Sequence, residues 1–424
     1  MNLQTVHLDL REATPDQQVG CLKQRYASLR GNGSIVRARV EERPVRQYIS
    51  MLERGYRVLL EHENGATYLV LRPDGSTPRV ELGGAHSVSC HPDGRIYSNT
   101  TGNRVAVCDG STRRVRKHII VGDDPSHLEL SHDSRRLYVA NSGSNDVTLI
   151  DTASDQVIAT VPTGKRPLLP CVAPDGRSVY LPSGPESTVT VLGESGQLIK
   201  KIAVGAAPHD IAVSPDSRWA YQPNSASHNV SIIDTRDGSV VGEIGVGLGP
   251  GHIAFDPESR FAYVANTLSN DVTVIATAQH EVVTTIKAGA AAHLPAVSPD
   301  GRYGYVANFA SDELTVWNTN DNRVVAQIPV GIYPHFFALS PDGSWLVVSN
   351  TGESSVCVID ARTHATVARL EVGGAPAHLA FDPDSECVFV GCESSDEIAV
   401  VELAKLRVID LIKAGAQQTD RSTG

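Results

Sequence analysis

The sequence predicts a mainly β fold, an eight-bladed β-propeller that follows a small N-terminal α/β domain. The main observation is a glycine that recurs through the chain, at Gly83, Gly122, Gly164, Gly205, Gly247, Gly289, Gly331, Gly373 and Gly415. The successive intervals are 39, 42 and 41 residues, followed by five intervals of 42. A repeat of about 42 residues has the size of one propeller blade. Eight blades are therefore predicted, with a seven-bladed ring as the alternative because the first interval is short.

Each repeat also reads as four short strands, and residues 247–288 show this clearly. The segments HIAF, FAYVAN, VTVIAT and EVVTTIKAG are separated by the polar turns DPES, TLSND and AQH. Short apolar segments that alternate with Asp, Asn, Ser and Pro turns are typical of a small antiparallel sheet. One such sheet cannot bury both of its faces, whereas a closed ring of sheets buries nearly all of them.

Residues 1–76 do not follow this repeat, and we assign residues 77–424 to the propeller. TVHLDLR and GSIVRARV are predicted strands, and TPDQQVGCLKQRYASL and PVRQYISMLERG are predicted amphipathic helices. The segment YRVLLEHENGATYLVLRP then predicts a hairpin that turns at Asn64-Gly65. The first 76 residues are therefore expected to form a separate α/β domain.

Two resemblances follow from these segments. YVANSGSNDVTLIDTASDQVIATVPTG, residues 138–164, resembles the YVTN-type β-propeller repeat, and the likeness extends over residues 83–415. That family implies the propeller fold and includes lactonases, surface-layer proteins and haem-binding nitrite reductase domains. The N-terminal domain resembles SirA/TusA-like sulfur carriers, in particular an uncharacterised relative whose Asp-His-Asp-Pro motif is replaced here by Glu41-Glu42-Arg43-Pro44. The Cys-Pro pair of the true sulfur carriers is absent, since Cys21 lies inside the first predicted helix. We therefore expect this domain to dock a protein partner or to stabilise the chain.

Charge, apolar content and cysteine spacing argue against several classes of protein. The formal net charge is −11 without a basic run, which argues against a nucleic-acid partner. No apolar stretch approaches the length of a membrane helix, and the N-terminus lacks the pattern of a signal peptide. Seven cysteines at irregular spacing favour free thiols. The sequence thus predicts a cytoplasmic protein that acts on a small molecule.

A histidine stands at the start of the first strand in seven of the eight repeats. These are His86, His127, His209, His252, His293, His335 and His378. The third repeat has Leu168 and Leu169 instead. Because the first strand of a blade is innermost, these residues are expected at one mouth of the central channel. They fall into two registers one residue apart, with His127, His252 and His378 in one and the other four in the second. In a regular strand such a shift would reverse the side chain.

Seven imidazoles at one axis predict a transition-metal site. Imidazole ligands without thiolate suit copper, iron, zinc or nickel and argue against calcium or magnesium. An all-histidine site on a propeller is similar to the copper site of nitrous oxide reductases, so copper is favoured. Haem held without covalent attachment is the other metal-centred option. The alternative is that each imidazole only bonds a neighbouring blade and keeps the ring closed.

Candidate catalytic residues lie at the same predicted mouth. They are Asp210 beside His209, Tyr333 near His335, and Arg166 in the repeat without histidine, where it would bind an anionic substrate. No Gly-x-Ser-x-Gly elbow or Walker loop is present. The predicted function is a metal-dependent enzyme, most simply an oxidoreductase. A lactonase-like or lyase-like hydrolytic propeller and a non-catalytic binding scaffold are the alternatives. The remaining histidines are expected at the surface without a shared position.

Overall fold

A computed structural model describes residues 5–9, 35–39, 57–63, 66–72 and 84–415, with side chains in 84–415 only. The chain divides into two compact units, Met1–Val80 and Glu81–Gly424. Among the described residues, no helix is long and apolar enough to cross a membrane.

The described part of the first unit is a single four-stranded sheet. Its strands are β1 (Thr5–Asp9), β2 (Ile35–Arg39), β3 (Arg57–Glu63) and β4 (Ala66–Arg72), in the order β1-β2-β4-β3. β1 and β2 are parallel, and the other two pairs are antiparallel. The predicted helices, the Asn64-Gly65 turn, Cys21 and the Glu41–Pro44 segment lie outside the described residues.

The second unit is an eight-bladed β-propeller, as the repeat predicts, and each blade is an antiparallel sheet of four consecutive strands. Blade 1 has β5 (Val88–Cys90), β6 (Arg95–Thr100), β7 (Arg104–Asp109) and β8 (Arg114–Ile120), and blade 2 has β9 (Pro125–Leu130), β10 (Arg136–Asn141), β11 (Asp146–Asp151) and β12 (Gln156–Pro162). Blade 3 has β13 (Cys171–Val172), β14 (Ser178–Ser183), a 3-10 turn (Gly184–Glu186), β15 (Thr188–Gly193) and β16 (Leu198–Ala203), and blade 4 has β17 (Ala212–Val213), β18 (Trp219–Asn224), β19 (Asn229–Asp234) and β20 (Ser239–Gly245).

The second half of the ring repeats the same plan. Blade 5 has β21 (Pro250–Phe255), β22 (Phe261–Asn266), β23 (Asp271–Ala276) and β24 (Glu281–Lys287), and blade 6 has β25 (Ala292–Val297), β26 (Tyr303–Asn308), β27 (Glu313–Asn318) and β28 (Arg323–Pro329). Blade 7 has β29 (Pro334–Leu339), β30 (Trp345–Asn350), β31 (Ser355–Asp360) and β32 (Ala365–Glu371), and blade 8 has β33 (Pro376–Phe381), β34 (Cys387–Cys392), β35 (Glu397–Glu402) and β36 (Arg407–Lys413). The short first repeat thus forms a complete blade, and the seven-bladed alternative is wrong.

The ring closes between blades 8 and 1. The innermost strands β33 and β5 are in contact, as are the innermost strands of all other neighbouring blades. At this seam the backbone N–H of His378 donates to the carbonyl of His86 at 3.0 Å, and the Thr100 hydroxyl donates to the Asp396 carboxylate at 2.7 Å. Because every blade supplies its own four strands, closure needs no strand exchanged between the ends of the propeller.

The recurring glycine is explained by close packing. At Gly247 an added Cβ would lie 2.4 Å from the hydroxyl of Ser269 and 2.7 Å from the side chain of Asn266. Asn266 in turn donates from Nδ2 to Thr273 Oγ1 at 2.8 Å and so ties two strands of the blade together. The glycine leaves room for this asparagine, and the same contact recurs at Gly205 with Asn224 and at Gly331 with Asn350.

Candidate metal centre

Both histidine registers reach the channel because the innermost strands carry a β-bulge. His127 and His252 are in the regular ladder, opposite Ala140 and Ala265. His335 falls where the ladder of blade 7 shifts between Pro334 and Phe336. His293 and His378, one from each register, lie in the equivalent shifts of blades 6 and 8. A bulge bends the strand and turns an additional side chain toward the same side. The one-residue offset therefore does not send the two sets in opposite directions.

Three of the seven rings form a compact cluster, here named the His86 triad: His86, His127 and His378. Their ring centroids are 5.1 Å apart for His86–His127, 5.1 Å for His86–His378 and 5.0 Å for His127–His378. Each ring offers one nitrogen such that all three nitrogens lie within 4.8 Å of one another. This arrangement can bring three imidazole ligands to one metal ion.

The other four rings form a chain, here named the four-histidine arc: His209, His252, His293 and His335. The ring centroids are 4.9 Å apart for His209–His252, 4.5 Å for His252–His293 and 5.4 Å for His293–His335. The contacts between the arc and the His86 triad are longer, with His335 at 6.2 Å from His378 and 6.3 Å from His86. On the opposite side, blade 3 interrupts the ring with the half-buried Leu168 and Leu169.

Each group contains one histidine that bonds a carboxylate of a neighbouring blade. Nδ1 of His86 lies 3.2 Å from Glu393 Oε2, and Nδ1 of His252 lies 3.1 Å from Asp210 Oδ2. Ionised carboxylates only accept, so both Nδ1 atoms donate and the two Nε2 atoms keep their lone pairs. A carboxylate that fixes the tautomer in this way is the usual partner of a metal-binding histidine.

Burial favours the neutral form of five of the channel imidazoles by lowering their pKa. It lowers the pKa of His127, His293 and His378 well below the ordinary value, and the neighbouring imidazoles add to the effect. Burial, followed by the charge on His252, lowers the pKa of His209 to about 4. Burial, followed by the charge on His86, lowers the pKa of His335 to about 3. Neutral imidazole is the form that binds metals.

Several ring nitrogens at the mouth are buried without a hydrogen-bond partner among the described residues. They are Nδ1 of His127, His209 and His335 and Nε2 of His252. His209 does bond the Gly251 backbone of the next blade, as the ring-closing alternative predicts, but its Nδ1 has no partner. Because buried polar atoms nearly always have partners, these nitrogens are positioned to bind water or a ligand in the channel.

The predicted catalytic residues are placed differently from one another. Asp210 contacts a channel histidine, but this is His252 of the next blade and not its sequence neighbour. Tyr333 and Arg166 occupy the same left-handed loop position in their blades, with φ of 54° and 50°. The Tyr333 ring stacks on Phe309 at 4.9 Å, and Phe309 lies 6.1 Å from the ring of His293. Tyr333 therefore packs behind the histidines.

Sequence reasoning missed Glu393 and Glu129. Glu393 lies where five other blades have a serine or threonine. Two of these hydroxyls donate to a carbonyl of the next blade, Ser225 to Pro250 at 2.6 Å and Thr351 to Pro376 at 2.7 Å. This departure from the repeat is the sequence signal that could have identified Glu393 as a site residue. Glu129 follows His127 by two residues on the innermost strand β9, and burial raises its pKa to about 8.

Two outer histidines also correct the expectation of unrelated surface residues. His280 and His364 occupy the same turn position two blades apart, both with positive φ. The ring of His280 packs 4.5 Å from Trp219, and that of His364 packs 4.9 Å from Tyr303. His132, in contrast, is exposed. The side chains of His7 and His62 lie outside the described residues.

Comparisons with known proteins agree on the propeller fold. A family model described as "Lactonase, 7-bladed beta-propeller" matches residues 94–366 and 334–422. No curated protein matches the sequence. Hydrazine synthase of Kuenenia stuttgartiensis is 22% identical, covers 68% of this chain and 97% of its own, and superposes with a TM-score of 0.58.

Two further solved structures are similar. The dihydro-heme d1 dehydrogenase NirN in complex with DHE is 17% identical over 80% of this chain and 75% of its own, with a TM-score of 0.64. A functionally unknown protein from Desulfotomaculum acetoxidans is 18% identical over 63% of this chain and 92% of its own, with a TM-score of 0.54. At these identities the likeness to solved structures shows the fold alone. The family match spans most of the propeller, and the chain therefore belongs to the family described as lactonase, 7-bladed beta-propeller, although its own ring has eight blades.

Proposed function

We propose that the His86 triad binds one transition-metal ion and that the protein is a metal-dependent hydrolase of cyclic esters. The observation that carries this proposal is the cluster of three imidazoles whose nitrogens lie within 4.8 Å of one another. The reaction class is supported by the family to which the chain belongs.

The spacing of the triad fits a shared ion. Since histidine nitrogens lie about 2.0–2.1 Å from zinc, two imidazoles on one tetrahedral ion have ring centroids about 5 Å apart. The three observed separations are 5.0 Å, 5.1 Å and 5.1 Å. Three protein ligands leave one position open, which is the pattern of a catalytic site.

The chain's own residues would hold and orient these ligands. Glu393 fixes the tautomer of His86 by accepting from Nδ1, so that Nε2 is available as a ligand. His378 is 9% exposed, and the Nδ1 of His127 is buried without a partner among residues 84–415. When bound, a metal ion in such a site supplies a Lewis acid that polarises a carbonyl oxygen.

The substrate would enter on the side of blade 3. There the repeat has the half-buried Leu168 and Leu169 in place of a histidine. Arg166 belongs to the same loop and supplies a positive charge for an anionic group of the substrate. A small lactone with an apolar ring and a carboxylate or phosphate substituent matches both features.

The identity of the bound metal would distinguish a hydrolase from an oxidoreductase. Three imidazoles suit copper as well as zinc, and copper would favour the oxidoreductase predicted from the sequence. Haem is a second candidate because the similar NirN structure is a dihydro-heme d1 dehydrogenase. An imidazole of the triad would be able to bind haem iron, but three imidazoles within reach of one another suit a single non-haem ion better.

The test is metal analysis of tag-free protein, followed by hydrolysis of a panel of γ- and δ-lactones in a pH-stat. We expect bound metal and lactone opening in the wild type, and a loss of activity of about 100-fold or more in His127→Ala. The exposed His132→Ala is the matched control and should keep both. Metal at background after reconstitution with copper, iron, zinc and nickel, or undiminished hydrolysis by His127→Ala, would overturn the proposal.

A further inference from the structure

We propose that a cavity between the outer strands of blades 8 and 1, here named the seam pocket, binds the phosphate group of a small phosphate ester. The seam pocket has a volume of about 410 Å³. Blade 1 contributes one lining residue and blade 8 the other five, which are Arg113, and Glu402, Lys405, Arg407, Val408 and Ile409. These residues lie at the outer strands of their blades, whereas the channel histidines lie at the innermost ones. The proposal is therefore independent of the metal site.

The lining of the seam pocket carries more positive than negative charge. Arg113, Lys405 and Arg407 are cationic, and Glu402 is the one carboxylate among the lining residues. Lys405 Nζ and Arg407 Nε both donate to the Glu402 carboxylate, each at 2.9 Å. Two cations thus share one carboxylate, and Arg113 remains. On a chain with a net charge of −11, this local excess of positive charge attracts an anion.

The guanidinium of Arg113 is the group that lacks a counter-charge. The residue is half-buried, and within residues 84–415 its side chain forms no hydrogen bond or ion pair. A guanidinium that loses part of its water is stabilised by a carboxylate or a phosphate, whose oxygens match its fork of N–H donors. An anion in the seam pocket would supply this partner.

The seam departs from the repeat at this position. Arg113 precedes the outermost strand of blade 1 and has φ of 57°, and Asp155 is the equivalent residue of blade 2, with φ of 52°. The Asp155 carboxylate accepts a hydrogen bond of 2.7 Å from the hydroxyl of Tyr97 in the preceding blade. Blade 8, which precedes blade 1, has Phe389 where blade 1 has Tyr97, so it offers Arg113 no hydroxyl. The usual contact between neighbouring blades is therefore replaced here by a cavity with a cationic wall.

The donor set suits a phosphate group better than a carboxylate. One guanidinium satisfies a carboxylate by bonding both of its oxygens, whereas the three terminal oxygens of a phosphate monoester can be contacted by two guanidinium groups and an ammonium together. Three cations and one carboxylate leave two positive charges in excess, which balances the charge of a phosphate monoester at pH 7.

The rest of the ligand is a small organic group. A cavity of about 410 Å³ is in the size range of pockets that hold small organic molecules. Val408 and Ile409 line it beside the charged residues and offer apolar surface to such a group. The seam pocket therefore suits a phosphorylated small molecule better than inorganic phosphate.

The experiment is a calorimetric titration of the tag-free full chain with phenyl phosphate, inorganic phosphate and benzoate. Metal is removed beforehand with a chelator, so that no anion can bind an ion at the His86 triad. We expect one phenyl phosphate per chain. Its affinity should exceed that of inorganic phosphate, because the phenyl group removes apolar surface from water, and that of benzoate, because a carboxylate cannot use all three cations.

Two variants test the lining residues. Arg113→Gln and Arg407→Gln should each weaken phenyl phosphate binding by about 10-fold or more, because each removes charge-assisted hydrogen bonds to the phosphate. Arg135→Gln is the matched control, since the Arg135 side chain on blade 2 is 81% exposed, and it should bind as the wild type does. Thermal unfolding without ligand checks that each variant is folded.

The outcomes distinguish this site from the proposed catalytic one. Absence of saturable binding in the wild type, or unchanged affinity in Arg113→Gln, would overturn the seam pocket. Equal weakening in Arg113→Gln and Arg135→Gln would also overturn it, because attraction by overall charge alone gives that result. Benzoate bound as tightly as phenyl phosphate would overturn the assignment to a phosphate. Metal content and lactone opening should be the same in Arg113→Gln and the wild type, so the two proposals fail or stand separately.

Discussion

Nδ1 of His252 donates a hydrogen bond of 3.1 Å to Asp210, and the opposite nitrogen of the same ring is buried without a partner in the part of the chain that the structure describes. The two residues belong to adjacent blades. His86 and Glu393 repeat this relationship across the seam between blades 1 and 8. A carboxylate of the neighbouring blade therefore orients each of these two imidazoles. The packing of neighbouring blades thus also positions these channel histidines.

Glu393→Gln should weaken metal binding at the His86 triad. The amide keeps the shape of the side chain but removes the charge that fixes the tautomer of His86, and loss of such a partner costs about 10- to 100-fold in metal affinity. Calorimetric zinc titration measures the change. Glu402→Gln, which removes a carboxylate bonded to Lys405 and Arg407 on the outer side of blade 8, is the control and should bind zinc as the wild type does. Equal affinities in the two variants would contradict the role of Glu393.

Removal of the metal should destabilise the ring. The triad takes its ligands from blades 1, 2 and 8, so a bound ion ties the first and last blades together across the seam. A ligand that binds only the folded state at 1,000 times its dissociation constant stabilises that state by about 4 kcal/mol. We expect a chelator to lower Tm in the wild type and to have a smaller effect in His127→Ala. An unchanged wild-type Tm in differential scanning fluorimetry would contradict this.

The fold and the positions of the histidines were readable from the sequence because both recur with the repeat. The length of the repeat corresponds to one blade. A residue at the same position in each repeat therefore lies at the same position in each blade around the axis. The contacts made by side chains between blades do not follow from the repeat. Asp210 was recognised through its neighbour His209, yet its carboxylate reaches His252, which lies 42 residues further along the chain.

Departures from the repeat also explain why the sequence did not predict some features of the site. Glu393 replaces a hydroxyl residue and reaches back to His86, 307 residues earlier in the chain, and only the closed ring brings the two together. The β-bulge at His293 and His335 was also not predicted from the sequence, because the expected alternation of side-chain directions assumes a regular strand. Tyr333 and Arg166 were singled out by residue type, whereas their shared left-handed conformation reflects the loop geometry of every blade.

The pH dependence of stability should carry a contribution from His364. Burial against Tyr303 lowers its pKa in the folded protein, while the unfolded chain takes up a proton near pH 6.5. Below that pH the unfolded state binds more protons, so stability is lost as the pH falls, and little changes above it. His364→Phe removes this penalty.

Urea unfolding at several pH values between 7.5 and 4.5 tests this expectation. The stability of His364→Phe relative to the wild type should rise as the pH drops below 6.5 and stay constant above it. His132→Phe, at an exposed position, is the control and should follow the wild type throughout. A difference between His364→Phe and the wild type that does not vary with pH would show that the buried ring has no part in the acid sensitivity.

The Gly304–Trp317 pair in blade 6 should show strong energetic coupling. The two residues face each other across β26 and β27, and an added Cβ on Gly304 would lie 2.0 Å from the indole ring. Blades 4 and 5 fill the same two positions with alanine and isoleucine, in the pairs Ala220–Ile233 and Ala262–Ile275. Gly304→Ala alone should therefore overpack the core and cost about 1–3 kcal/mol. Trp317→Ile alone should leave a cavity and also destabilise the blade.

The double variant Gly304→Ala/Trp317→Ile recreates the pair found in blades 4 and 5, so its loss of stability should be much smaller than the sum of the two single losses. A double-mutant cycle from denaturant unfolding measures this coupling, which for residues in contact amounts to about 0.5–3 kcal/mol. Gly242→Ala is the matched control, because the nearest atom to its added Cβ lies 3.8 Å away, at ordinary contact distance. Additive losses in the cycle would mean that the strands of blade 6 separate to admit the methyl group, and that the glycine is not there to accommodate the tryptophan.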